Sequence, residues 1–362
     1  MKQLESIELF SGAGGLALGL HAAGFRHKAL YEWNAAAVET LQYNQRMGHM
    51  SLQGCTITRA DVRQVDFTKY RGIDLVAGGP PCQPFSMGGK AAGMNDVRDM
   101  FPQAIRAVAE AQPRAFIFEN VRGLLRPAFS NYVEFIRLQM EFPEFPISEN
   151  ASWDQNLARL ERHKESVGKA AVGLRYRVHV HQANAAEFGV PQHRHRVFFI
   201  GFRSDFVTDW SFPKTTHNES DSWMTLSEAI RDMPDPSSRS AKKWHNHMLQ
   251  PGAKTYPGHT GSPLDRPAKA LKAGAHGVPG GENMILFPDG SVRYLSVRES
   301  ARVQTFPDDY VFLGSWTEAM RQLGNAVPVK LAEIVGSSVA KALAGQPPKK
   351  SKSSTNEALQ SP

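Results

Sequence analysis

Short strand-like runs recur along the first two hundred residues, each ending in small or charged residues. The clearest are residues 7–10, 28–31, 56–60, 73–77, 115–118 and 197–201. Runs of four or five residues bounded by turn formers predict buried strands. Between them, apolar residues fall at helical spacing in residues 16–23, with Leu16, Leu20 and Ala23 on one face and Gly24 as the stop, and helices are also predicted over 35–45 and 100–110. This alternation predicts an open α/β sheet. Residues 153–167 read as a charged surface helix, and 176–180 alternate as a strand. From 205 to 289 the chain turns rich in Pro, Gly, Ser, His and Lys, which predicts a second, smaller, loop-built domain. Helical spacing returns at Val297, Ala301 and Gln304. Residues 321–328 read as a turn, 329–343 as a last amphipathic helix and 346–362 as a disordered tail. The division expected is therefore 1–204, completed by 318–345, then 205–317, then the tail.

Composition narrows the class. With 362 residues, 41% hydrophobic and 21% charged, the chain can bury a large core and fits a globular protein of two domains. No apolar run approaches a membrane span, and the first six residues lack the layout of a signal peptide. Two cysteines, Cys55 and Cys82, are too few for a disulfide framework or a cysteine zinc site and fit a reducing cytosol. No metal is expected, since the histidines lack ligand spacing. The net charge of +7 permits a nucleic-acid partner.

Candidate chemistry gathers where strands end. Gly78-Gly79-Pro80-Pro81-Cys82 follows the run at 73–77. Two prolines fix two φ angles and supply no N–H, so the thiol sits on a stiff loop rather than inside an apolar run. Residues 86–98 read as a mobile loop beside it, a candidate lid. Ser11-Gly12-Ala13-Gly14-Gly15 links the first strand to the first helix, allowing close backbone approach to a ligand or merely a tight turn. Glu32, followed by Trp33, lies where an acidic residue binds ribose hydroxyls in such folds. Asp61 can serve an adenine amino group or cap the next turn. Glu119 is placed just after a buried strand, at the rim that carries Cys82, or else caps the turn to Gly123. Arg194 and Arg196, two apart, share one face of an extended segment, suited to phosphate or carbonyl oxygens or simply to an exposed strand end. Lys242, Lys243, His245, His247 and Lys254, interleaved with Trp244 and Tyr256, suit a nucleic-acid face, as do Lys269 and Lys272 further on.

In order, these blocks resemble the DNA (cytosine-5) methyltransferases, of the bacterial restriction-modification type. The resemblance runs through Phe10-Ser11-Gly12-Ala13-Gly14-Gly15, Gly79-Pro80-Pro81-Cys82-Gln83, Glu119-Asn120-Val121, Gln192-His193-Arg194-His195-Arg196, Arg298 to Gln304 and Gly324-Asn325-Ala326-Val327-Pro328. It implies a Rossmann-like S-adenosylmethionine-dependent fold, a mixed sheet flanked by helices, with a smaller loop-rich target-recognition domain. It implies S-adenosyl-L-methionine held by Phe10, Gly12, Gly14, Glu32, Trp33, Asp61, Val62, Pro80, Asn325 and Ala326. Cys82 is the expected nucleophile at cytosine C6, Glu119 holds the N3 and amino edge, and Arg194 with Arg196 positions the base. Contacts to duplex DNA are expected from Ser86, Lys242, Lys243, Lys269 and Lys272. A monomer in the bacterial cytosol, with a separately acting restriction endonuclease as a possible companion, completes the expectation.

Three other readings are set against this one; a catalytically silent DNA-binding module is opposed by the intact set of catalytic residues. A branch of the same family methylates cytosine in tRNA; the length of the variable region, 205–289, favours duplex DNA. A nicotinamide-dependent oxidoreductase would use the Gly-rich turn and Glu32 but leaves Cys82, Glu119 and the Gln-x-Arg-x-Arg block unexplained.

Overall fold

The computed structural model describes residues 3–81, 99–167, 173–206, 209–217, 223–273 and 281–345. Cys82, Ser86 and the expected lid and tail lie outside these residues. Strand β1 (Leu4–Leu9) leads through the Gly-rich turn into helix α1 (Gly15–Ala22), followed by β2 (Phe25–Glu32), α2 (Ala35–Arg46), β3 (Thr56–Arg59) and β4 (Leu75–Gly78). Then come α3 (Phe101–Ala111), β5 (Ala115–Val121), α4 (Ser130–Glu141), α5 (Trp153–Val167), β6 (Tyr176–Asn184), β7 (Gln192–His193) and β8 (His195–Arg203). Seven strands form one sheet in the order β3-β2-β1-β4-β5-β8-β6. The first five run parallel, β8 runs against them, and β6 pairs antiparallel with β8. Such a mixed sheet is the expected fold. Its strand order reverses beside β1, so a crevice opens at the carboxyl ends of β1 and β4.

Both faces of the sheet are covered. One buries Ile7, Val76, Phe116, Phe118 and Phe199 beneath α3 and α4. The other buries Leu75, Ala77, Ile117, Phe198 and Ile200 beneath α1 and the last helix, α9 (Val329–Ala344). Continuous apolar strands are what burial on both faces demands. Helices α1 and α9 cross closely at Gly19, where an added Cβ would lie 2.4 Å from Ala332 Cβ and 2.5 Å from Val329 O.

Among the described residues the variable region carries only short elements between loops. It holds α6 (Leu226–Ile230), β9 (Ser262–Pro263), β10 (Ala268–Lys269), β11 (Met284–Leu286) and β12 (Val292–Tyr294) around Leu226, Ala268, Leu271, Ile285 and Leu295. Two-residue strands leave no readable periodicity. Helix α7 (Val297–Val303) is shared: Val303 packs with Leu226 and Leu271, while Val297 joins Phe306, Tyr310 and Phe312 against Leu18, Leu30 and Leu41. Residues 321–325, expected in a turn, are the end of α8 (Trp316–Asn325), and only Ala326 to Pro328 turns. Gly324 and Asn325 are turn formers by preference, yet here Gly324 serves tight packing in a helix.

Candidate active site

The carboxyl ends of the central strands open into a cleft of about 910 Å³. Phe10, Gly12, Glu32, Pro80, Asn325 and Ala326 line it, and so do Glu119 and Arg196. The Gly-rich turn explains one wall. Phe10 (φ 56°) and Gly12 (φ 53°) both adopt left-handed backbone, which turns the chain sharply off β1. At Gly12 no atom lies within 4 Å of an added Cβ, so its freedom of backbone is what the turn uses. The turn then closes on Glu32, whose carboxylate accepts from Gly12 N (2.8 Å) and Asn34 N (2.7 Å).

A second carboxylate, unremarked in the sequence reading, stands behind this wall. Glu8 is 1% exposed and lines the cleft, and its Oε2 has no hydrogen-bond partner among the described residues. Burial, and secondarily the charge of Glu32, pushes its carboxyl well above the usual carboxylate range. The signal available was a lone acid inside the apolar run Ile7-Glu8-Leu9-Phe10.

Opposite lies the Glu119 wall. Glu119 sits within β5, not beyond it, paired with Phe198 of β8, so strand geometry rather than a turn aims its side chain. Arg196, on β8, brings Nε to 2.6 Å from Glu119 Oε1. The two side chains form an ion pair with little exposure of either. Burial draws the Arg196 guanidinium below its ordinary value, and Glu119 opposes the shift. Next along β5, Asn120 Nδ2 donates to Pro80 O (2.9 Å), and Met100 N donates to Pro81 O (3.1 Å). The chain on either side of residues 82–98 is thereby pinned at one point, with Gly79, Pro80 and Pro81 facing the cleft beside Glu119. An added Cβ at Gly79 would stand 3.4 Å from Glu119 Oε2.

Other expected residues fall elsewhere. Arg194 does not share a face with Arg196, since the strand breaks between β7 and β8 at that residue. Its side chain is fully buried and bonded to backbone carbonyls. Gly14 caps α1 and faces Leu41, Tyr310 and Leu18 instead of the cleft. Asp61 caps a short turn through Arg63 N and holds the Arg63 guanidinium, the capping alternative. Val62 is buried and Trp33 is 65% exposed, both outside the cleft lining. Lys272 lines the cleft with its Nζ 2.6 Å from Glu282, together with Tyr256, His259 and Arg321. Lys269 bonds Thr260, while Lys242 and Lys243 are exposed away from the cleft lining. No group of three or more potential metal ligands occurs among the described residues.

The family model for C-5 cytosine-specific DNA methylase matches residues 4–150 and 157–341. The type II methyltransferase M.NgoMIV of Neisseria gonorrhoeae is 35% identical over 94% of this chain and 98% of its own length. M.AplI of Arthrospira platensis is 34% identical over 95% and 88%. Among solved structures, a DNA modification methyltransferase encoded within an E. coli prophage superposes with a TM-score of 0.65 at 21% identity, over 94% of this chain and 99% of that one. Spodoptera frugiperda DNMT2 gives a TM-score of 0.61 at 17% identity, over 93% and 99%, a likeness of fold.

Proposed function

The chain belongs to the C-5 cytosine-specific DNA methylase family and is a DNA cytosine-5 methyltransferase, and we propose that it takes its methyl group from S-adenosyl-L-methionine and works through Cys82, Glu119 and Arg196. The observation that carries this is the single cleft shared by Glu119, Arg196 and the wall of Phe10, Gly12, Glu32 and Asn325. The chemistry of the wall fits that cofactor. The orphaned, buried Oε2 of Glu8 leaves a polar group for a ligand, and a cofactor carrying an ammonium and a sulfonium would offset the burial that favours its neutral form. Two amides fix Glu32 where it can accept from ribose hydroxyls. When bound, the cofactor supplies an electrophilic methyl group.

The protein's part is to make cytosine C5 nucleophilic. In this reading the Cys82 thiolate adds to C6, and C5 gains enamine character. Glu119 holds the N3 and amino edge with a proton carried or shared there. Arg196 orients Glu119 and faces the base carbonyl. Once C5 carries the methyl group, a base takes the C5 proton, the C5–C6 double bond reforms and Cys82 leaves as thiolate. A duplex hides C6, so the cytosine is flipped out, at a cost of a few kcal/mol. Binding to phosphates offsets part of that cost.

The same reading has the chain act as a monomer on duplex DNA in the bacterial cytosol, alongside a separate endonuclease of the same specificity. Target recognition belongs to the region 205–317. The test is transfer of labelled methyl from S-adenosylmethionine to unmethylated duplex DNA, with the modified bases mapped. Methyl at C5 of cytosines within one short sequence is the expected result. Incorporation into tRNA and not DNA would overturn the substrate, and binding of a nicotinamide cofactor in place of S-adenosylmethionine would overturn the reading of the cleft.

A further inference from the structure

Arg194 is 0% exposed and has no carboxylate among its hydrogen-bond partners. Its guanidinium instead donates to three backbone carbonyls from two distant segments. Nη1 reaches Leu271 O (3.1 Å); Nη2 reaches Gly324 O (2.7 Å) and Ala326 O (2.8 Å). The last two lie at the carboxyl end of α8, where carbonyls lack helical partners and the helix dipole is negative. That end supplies part of the counter-charge a buried guanidinium needs.

The neighbours repeat the pattern. Gln192, also 0% exposed, accepts from Leu271 N (3.1 Å) and donates to Gln304 Oε1 (3.1 Å). Gln304 donates in turn to Leu323 O and to Ala326 O. Strand β10 pairs with β7, Ala268 against Gln192. Gly324 meets the backbone of the same segment, since an added Cβ would fall 2.3 Å from Ala273 N. The residues between and beside these anchors face the cleft: Lys272 after Leu271, Asn325 between Gly324 and Ala326, and Arg196 two positions from Arg194.

We propose that Arg194 is a positioning residue that joins the DNA-facing segment at 271–273, the cofactor-facing segment at 324–326 and the strand leading to Arg196 into one body, so that binding of cofactor and binding of DNA are coupled. The proposal rests on the cleft being the methyl-transfer site. Its chemistry is specific to arginine. A planar fork spans two carbonyl sets at once, whereas an ammonium is a point charge and cannot bridge both walls.

Titration of S-adenosylhomocysteine into the protein, with and without a duplex carrying the mapped sequence, reads the coupling. In the wild type the duplex should tighten this ligand ~5–150-fold, the usual range for coupled sites. In Arg194→Lys the factor should fall below about threefold, with KM for both substrates raised and kcat at saturation nearly kept. A collapse of kcat with both KM values unchanged would make Arg194 a catalytic residue and overturn the proposal, as would unchanged coupling in a folded variant. Should that variant fail to fold, hydrogen exchange on the wild type decides. Adding S-adenosylhomocysteine alone should protect 268–273 together with 322–328, and protection confined to the second segment overturns the proposal. Absence of S-adenosylhomocysteine binding by the wild type would instead remove the reading of the cleft, and this inference with it.

Discussion

At the scale of single residues, the molecule places unlike carboxyls at unlike tasks. Glu119 pairs with the Arg196 guanidinium on the neighbouring strand, Glu32 is held by two amides, and one oxygen of buried Glu8 has no partner among the described residues. Replacing Glu119 by Gln keeps the shape and removes the proton, so turnover should fall ~10²–10⁴-fold, the range for an acid–base group. Steady-state methyl transfer checks this. In Cys82→Ser, transfer should vanish while S-adenosylhomocysteine still binds, as calorimetry would read. A third prediction concerns His27, whose ring is buried between Ser6 Oγ (2.9 Å) and Ala17 O (2.8 Å). Burial lowers it from 6.5 to about 4. Above pH 6.5 the ring is neutral folded or unfolded, and it contributes no pH dependence. Between 6.5 and about 4 the unfolded chain takes up the proton and the folded chain does not, so stability falls by about 3 kcal/mol across that window. Urea titrations at pH 7 and pH 5 should show the loss, and His27→Gln should lack this contribution.

Elements are held by close crossings as much as by apolar area. At Gly19 the backbone of α9 is so near α1 that a methyl group has no room. Gly19→Ala raises helix propensity by about 1 kcal/mol. Overpacking of a tight contact costs about 1–3 kcal/mol, so the variant should nevertheless be less stable. A lower urea midpoint with unchanged m-value would show it. The sequence pattern located α1, α2, α3, α5 and α9; α1, α3 and α9 bury apolar faces in the core, and α5 lies outside with only Leu157, Leu160 and Asn156 buried. It missed the end of α8 because Gly324 and Asn325 carry turn preference, and their helical state follows from contacts with Lys272 and Ala273 fifty residues away. It likewise stopped β5 at Phe118. The extension through Glu119 to Val121 comes from pairing with β8, a partner that local propensity does not see.

For the whole molecule, charge and topology divide the work. Lys242 and Lys243 are exposed on a short turn of the variable region, away from the cleft lining. If they meet phosphates, replacing both with Ala weakens DNA binding at all sequences alike and reduces the slope of log K against log salt by about 1.8. An unchanged slope would take them off the DNA. The glycine turn was legible from one chain because its chemistry is local: glycines permit positive φ wherever they occur. The strand order that gathers Glu8, Glu32, Gly79 and Glu119 at one crevice is a long-range matter, and so is the fate of Arg194. Read along the chain, Arg194 and Arg196 are equivalent; folded, one faces Glu119 and the other is spent on the carbonyls of Leu271, Gly324 and Ala326. Residue type and spacing bound which reactions a chain can support, because bonds and ionisable groups are written in them. Which groups meet, and which are buried as struts, depends on contacts between segments far apart in sequence, and those exist only once the sheet has closed.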